Sequence, residues 1–147
     1  MTAAESDRSL MLLLDTHMFL WMVEGHPRLG AETAKTLNHA AREERIAVSA
    51  ITPWEIGVLV AKKRIDLHRD LMEWVRDALS RPGVTLVPLE PEIAVASTHL
   101  PFDMHPDPAD RILVATARHL GASLVTADEE LLKLSKKGHF RGIDASR

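Results

Sequence analysis

Met11–Trp21, MLLLDTHMFLW, sets an apolar run of four residues against a single carboxylate. Met11 to Leu14 shows no polar alternation, which is the signature of a strand buried on both faces, as central strands of parallel sheets are. Asp15 follows at the carboxyl end of that strand, where open α/β sheets form their ligand crevices. The same side chain is also an apt N-cap for a helix starting at Thr16. A lone acid after a strand is compatible with both roles, so the weight falls on how many further acids arrive at equivalent places.

Downstream, Gly25, His26 and Pro27 break the chain, and a helix is expected from about Arg28 to Glu44, with Leu29, Ala34, Leu37 and Ala41 on its inner face. Ile46 to Ala50 is the second strand. Thr52, Pro53 and Glu55 then read as a capping box, with Thr52 as N-cap, Pro53 at the first helical position and Glu55 at the third. That helix runs into Lys62, Lys63 and Arg64, cations suited to its negative end. An amphipathic helix over Asp70 to Leu79 turns Leu71, Trp74, Val75, Ala78 and Leu79 to one side, and Val84 to Val87 is the third strand. A helix over Glu92 to Leu100 and a loop from Pro101 to Asp107 come next.

The clearest helix starts with Asp107 as N-cap and Pro108 at the first position, carries Ile112 to Ala115 and Ala117, and stops at Gly121. It is apolar nearly all round, as a helix packed centrally on a sheet is. Ser123 to Thr126 is the fourth strand, Asp128 opens a short helix through Leu131 and Leu132, and a final edge strand is expected near Gly142 to Asp144. Strands alternating with helices imply an α/β, doubly wound fold, a parallel sheet of four or five strands with helices on both faces. One domain over residues 11–147 is expected, behind a frayed tail at residues 1–10.

Composition narrows the function classes. The chain of 147 residues has 46% hydrophobic content, enough for a single real core. It has no cysteine, which excludes disulfide staples, Cys-containing zinc sites and thiol nucleophiles. The first ten residues lack the basic start and apolar core of a signal peptide, and no apolar run is long enough to span a bilayer, so a cytoplasmic protein without membrane contact is expected. The formal charge of −3 argues against holding nucleic acid by basic surface alone. It does not exclude nucleic acid, because divalent cations held by clustered carboxylates reverse the sign that a phosphate meets.

Such a cluster is what the chain offers. Asp15, Glu55, Asp110 and Asp128 each follow a strand or open a helix at the same edge of a doubly wound sheet. Like charges in one crevice raise each other's pKa, and a cation relieves that cost. Carboxylate oxygens select Mg²⁺ or Mn²⁺ over zinc, and the chemistry that follows from such ions is phosphoryl transfer. Each acid also has local employment open to it: Glu55 in the capping box with Thr52, Asp110 three residues after Asp107, Asp128 and Asp15 as N-caps.

Asp15 with Thr16, His17 and Trp21 behind it, then Trp54-Glu55-Ile56, then DPADRILVATA over residues 107–117 and LVTADEELL over residues 124–132, together resemble the PIN-domain ribonucleases, and more narrowly the VapC-type toxins of toxin and antitoxin pairs. Each motif is weak alone; four in order over residues 12–132 are specific together. The resemblance implies a PIN-like fold and a Mg²⁺- or Mn²⁺-dependent endoribonuclease. It makes Asp15 and Asp110 direct metal ligands, with Glu55 and Asp128 acting directly or through water, and Thr126, Asp107 and Thr16 in support. It further implies an RNA substrate, a cognate antitoxin lying along Trp21, Met22, Trp54, Val58 and Leu59, and a homodimer; from the residues alone, Trp54 is expected in the core. Arg111, Lys62 and Lys63 are candidate RNA contacts, the lysines being equally suited to solvated helix ends.

Other classes fit less well. No glycine-rich phosphate loop follows a strand, no histidine pair has zinc-site spacing, and the position two after Asp15 holds His17 where a haloacid-type phosphatase has a second aspartate. The alternative is a non-catalytic RNA- or protein-binding module on the same fold.

Overall fold

Leu12–Leu14 forms β1 at the centre of a five-stranded sheet, with Leu13 in register with Ala47 on one side and Leu124 on the other. Hydrogen-bonded on both edges and covered on both faces, the strand has no place for a polar residue, which accounts for the unbroken apolar run. The computed structural model describes residues 11–147, so the tail expected at residues 1–10 lies outside the described residues.

The strands are β1, β2 (Ile46–Ser49), β3 (Val84–Val87), β4 (Ser123–Thr126) and β5 (Arg141–Asp144). Their order across the sheet is β3-β2-β1-β4-β5, and every pairing is parallel. The helices are α1 (Thr16–Glu24), α2 (Ala31–Arg42), α3 (Ile51–Ala61), α4 (Leu71–Leu79), α5 (Pro91–Thr98), α6 (Pro108–Leu120) and α7 (Glu129–Lys136). The chain steps outward from β1 to β3 and then returns to β4 on the opposite flank. Connections leaving β1 and β4 therefore diverge, and a crevice opens between them at the carboxyl edge of the sheet.

Side chains on a strand alternate between faces, so the sheet carries two separate cores. Leu12 and Leu14 face one of them with Phe19, Leu37, Val48, Ile56 and Trp74; Phe19 meets Trp74 edge-on at 6.1 Å. Leu13 faces the other with Ala47, Leu113, Val114, Leu124 and Leu131. Helix α6 supplies much of that second core and stops at Gly121, whose φ of 65° takes the left-handed turn that closes the helix. The C-terminus is fastened to the start of α2 through Thr33 N donating to Arg147 O at 2.9 Å. A side chain at Gly30 would collide with that carbonyl, its Cβ lying 1.9 Å away.

Three local expectations are corrected. Thr52 is not an N-cap: α3 begins at Ile51 behind Ala50, Ser49 Oγ accepts the Ile51 amide at 3.1 Å, and Thr52 is wholly buried with its hydroxyl unpartnered. The sheet dictates this entry, because Ala50 N still donates to Val87 O of β3 at 2.9 Å and Ile51 packs on the second core. Pro53 moves to the third helical position, where its missing N–H remains among the four that a helix start leaves unbonded. The second correction is Trp54, which is 55% exposed instead of buried. Thr52 and Ile56 point inward from α3, and a residue two after the first and two before the second falls on the opposite side of the helix.

Helix α2 begins at Ala31, later than its periodicity suggests, because His26 Nδ1 accepts the Arg28 amide at 3.0 Å and holds residues 26–29 in a turn.

Candidate active site

Asp15 leaves β1 in extended conformation and caps α1, its Oδ1 accepting the Met18 amide at 2.9 Å. Capping uses only one oxygen. Oδ2 accepts the Thr126 hydroxyl at 2.6 Å, and that hydroxyl oxygen in turn accepts the Asp128 amide at 3.0 Å. Asp128 caps α7 through Oδ1, which accepts the Leu131 amide at 3.0 Å. The carboxyl ends of β1 and β4 are thus tied side by side through one buried threonine.

Asp110 comes from the other side of the crevice. Asp107 caps α6 by accepting the Asp110 amide at 3.0 Å, and the Asp110 carboxylate lines the crevice from the first turn of that helix. Glu55 enters from α3, and with the helix starting at Ile51 it has no capping duty. Asp15, Thr16, His17, Trp21, Glu55, Asp107, Asp110 and Asp128 line one crevice of about 350 Å³. A larger cavity of about 750 Å³, at the far end of α6 around Gly121 and His139, has no carboxylate in its lining.

Crowding acids at a partly desolvated site has the expected electrostatic result. Asp110 is pushed up to about 7, by burial first and then by repulsion from Asp107, Glu55 and Asp128, with His105 opposing. Asp15 is also raised, by burial, against the lowering effect of the Thr126 and Met18 hydrogen bonds. Deprotonating such a set near neutral pH calls for a positive charge among its members.

Oxygen donors of this kind suit a hard divalent cation of the Mg²⁺ or Mn²⁺ type. Thr16 adds an oxygen at the crevice wall: its Oγ1 is buried and unpartnered. Among the described residues, no three His, Asp or Glu side chains converge closely enough to enclose an ion by themselves. Mg²⁺ binds through one or two acids with water completing its shell, so it does not require three converging side chains. Asp15, Glu55, Asp110 and Asp128 are the crevice acids that could hold such an ion.

Arg111 is already employed: Nε donates to Ser97 O at 2.8 Å and an Nη to Met104 O at 3.3 Å, pinning the loop ahead of α6. Lys62 and Lys63 are exposed beyond the end of α3 and do not line the crevice. One neighbour has no sequence signal. His105 Nε2 lies 3.3 Å from Asp110 Oδ2 and 3.6 Å from Glu130 Oε2, and its position in an irregular loop gives no periodicity or cap from which to infer that contact.

A family model described as "PIN domain" matches residues 12–137. Among curated proteins, "Ribonuclease VapC22" of Mycobacterium tuberculosis is 32% identical over 120 residues, covering 82% of this chain and 88% of that protein. Among solved structures, VapBC2 from Rickettsia felis bound to a DNA fragment from its promoter is similar with a TM-score of 0.67 at 17% identity, covering 92% of this chain and 98% of that chain. FitAcB from Neisseria gonorrhoeae is similar with a TM-score of 0.60 at 20% identity, again covering 92% of this chain and 98% of that one.

Proposed function

Because this chain belongs to the PIN-domain family, we propose that its carboxylate crevice hydrolyses RNA phosphodiester bonds with the help of Mg²⁺ or Mn²⁺, as the toxin of a toxin-antitoxin pair. The observation that carries the reading is that Asp15, Glu55, Asp110 and Asp128, from four different elements, line one crevice. A bound divalent cation supplies Lewis acidity there, activating water and offsetting charge on the phosphate. The chain's own residues do the rest. Thr126 fixes the Asp15 carboxylate in rotation and offsets part of the burial that disfavours its charge, Asp107 aims Asp110 by capping the helix beneath it, and Glu55 closes the crevice from α3.

An antitoxin is the expected partner. Trp54, exposed on α3, with the half-buried Trp21, Met22, Val58 and Leu59, offers it an apolar face beside the crevice, in a helix-in-groove mode. A homodimer is part of the same proposal. No helix among the described residues is long and apolar enough to cross a membrane.

The test is cleavage of RNA by purified protein with Mg²⁺ or Mn²⁺, with Ca²⁺, and with excess chelator. Cleavage is expected with the first two ions only, and Asp15→Asn is expected to fold and not cleave. Full activity in chelator removes the cation from the proposal. A wild-type protein that binds RNA and never cuts it favours the non-catalytic binding module instead.

A further inference from the structure

Two crevices meet on the flank of α1. The carboxylate crevice and a neighbour of about 310 Å³ share His17 and Trp21 as a common wall. His17 and Trp21 are one helical turn apart, and Trp21 lies six residues beyond Asp15, about 9 Å along the helix axis. The Trp21 ring stacks on His26, with centroids 5.3 Å apart and planes 18° from parallel, while His17 meets it edge-on at 6.5 Å. Arg28 and Arg64 stand exposed on the same lining.

Neither guanidinium has an ion pair or a side-chain hydrogen bond among the described residues, unlike Arg111 or Arg69. Two acids also line this second crevice, Glu24 and Asp66. Asp66 is turned onto its own loop: Oδ1 accepts the His68 amide at 2.8 Å and Oδ2 lies 3.5 Å from His68 Nδ1. The lining thus combines a stacked pair of flat rings with two uncommitted guanidinium groups and one exposed acid, Glu24, beside the carboxylate crevice with which it shares His17 and Trp21.

That combination is how single-stranded nucleic acid is held without base-specific contacts: rings take bases and arginines follow the backbone. We propose that the second crevice is the subsite for single-stranded RNA adjoining the scissile phosphate. One base extends the Trp21–His26 stack, and Arg28 and Arg64 contact the flanking phosphates. The inference rests on the ribonuclease reading of the carboxylate crevice and assigns the direction in which the substrate leaves it. Trp21 edges both this crevice and the apolar face around Trp54 that is offered to the antitoxin.

The test compares steady-state cleavage of a single-stranded oligoribonucleotide by the wild type, by Arg28→Glu combined with Arg64→Glu, and by Trp21→Leu. For the arginine variant KM is expected to rise about tenfold or more with kcat within about twofold, and the dependence of log(kcat/KM) on log salt to flatten by about 1.4, two phosphate contacts at about 0.7 each. Trp21→Leu is expected to raise KM without altering the salt slope. Trp21 packs partly on the first core, so that variant's fold is checked by circular dichroism. The exposed arginines carry the test if it fails to fold. Wild-type KM and salt slope in the arginine variant overturn the subsite while leaving the nuclease intact; the same kinetics with affinity lost only for a partner protein overturns it in favour of a docking surface. A wild-type protein that cleaves no RNA removes the ribonuclease reading and the subsite with it.

Discussion

The Thr126 hydroxyl donates to Asp15 Oδ2 at 2.6 Å while accepting the Asp128 amide at 3.0 Å, so one side chain on β4 serves an acid from β1 and the start of α7. Thr126→Val keeps the shape and removes both contacts. It is expected to destabilise the protein by about 1–3 kcal/mol, the usual cost of leaving buried partners unsatisfied. It is also expected to slow RNA cleavage by about 10- to 100-fold, the scale found when groups supporting a ligand are lost. Thr126→Ser restores both bonds and is expected to recover most of the activity. Melting curves and initial rates decide it, and a fully active valine variant contradicts the supporting role.

Asp110 makes stability pH-dependent when no cation is present. Its carboxyl, raised from 3.8 to about 7, keeps a proton in the folded state that the unfolded chain has already released in that interval. The folded state binds more protons across the window, so this contribution is fully present below about pH 4 and is lost as pH rises through about 7. Asp110→Asn carries no such proton. Relative to wild type in chelator, the variant is expected to gain on the order of 2–4 kcal/mol between about pH 4 and 8. A stability difference that stays constant over that range rules the effect out.

Glu55 and Thr52 can now be separated. Glu55 has no cap to support, so Glu55→Gln is expected to leave stability within about 0.5 kcal/mol while cleavage falls on the order of 10²-fold, as when one electrostatic contributor is removed. Thr52 is buried with an unpartnered hydroxyl, so Thr52→Val is expected to be neutral or mildly stabilising and to leave cleavage near the wild-type rate. Wild-type cleavage by Glu55→Gln would reduce the working acids to Asp15, Asp110 and Asp128.

Trp54 is 55% exposed, and truncating it removes little from the core. Trp54→Ala is expected to change stability by under about 0.5 kcal/mol and to leave RNA cleavage unaltered. Affinity for the antitoxin is expected to fall by about 2 kcal/mol or more, as for a buried aromatic anchor of an interface. Calorimetric titration of the partner into both proteins measures this; equal affinities place the antitoxin elsewhere.

By itself the sequence determined the alternation of elements and the carboxyl-edge position of the acids, because both follow from patterns local in the chain. Met11 to Leu14 reads as a central strand through its unbroken apolar run, and Asp107-Pro108 with Gly121 brackets α6 through capping chemistry alone. Even β5, an edge strand of four residues at the end of the chain, is foreshadowed near Gly142 to Asp144. Tertiary structure alone decided where α3 begins. Thr52, Pro53 and Glu55 satisfy a capping box locally, but the β3 contact at Ala50 and the packing of Ile51 start the helix earlier, and that shift buries Thr52, exposes Trp54 and frees Glu55 for the crevice. The link from Thr126 to Asp15 spans 111 residues, and the approach of His105 to Asp110 depends on the path of an irregular loop. Neither leaves a periodic or spacing trace, since such contacts are set by which strands the sheet makes neighbours and by how the loop is pinned, as Arg111 pins it here.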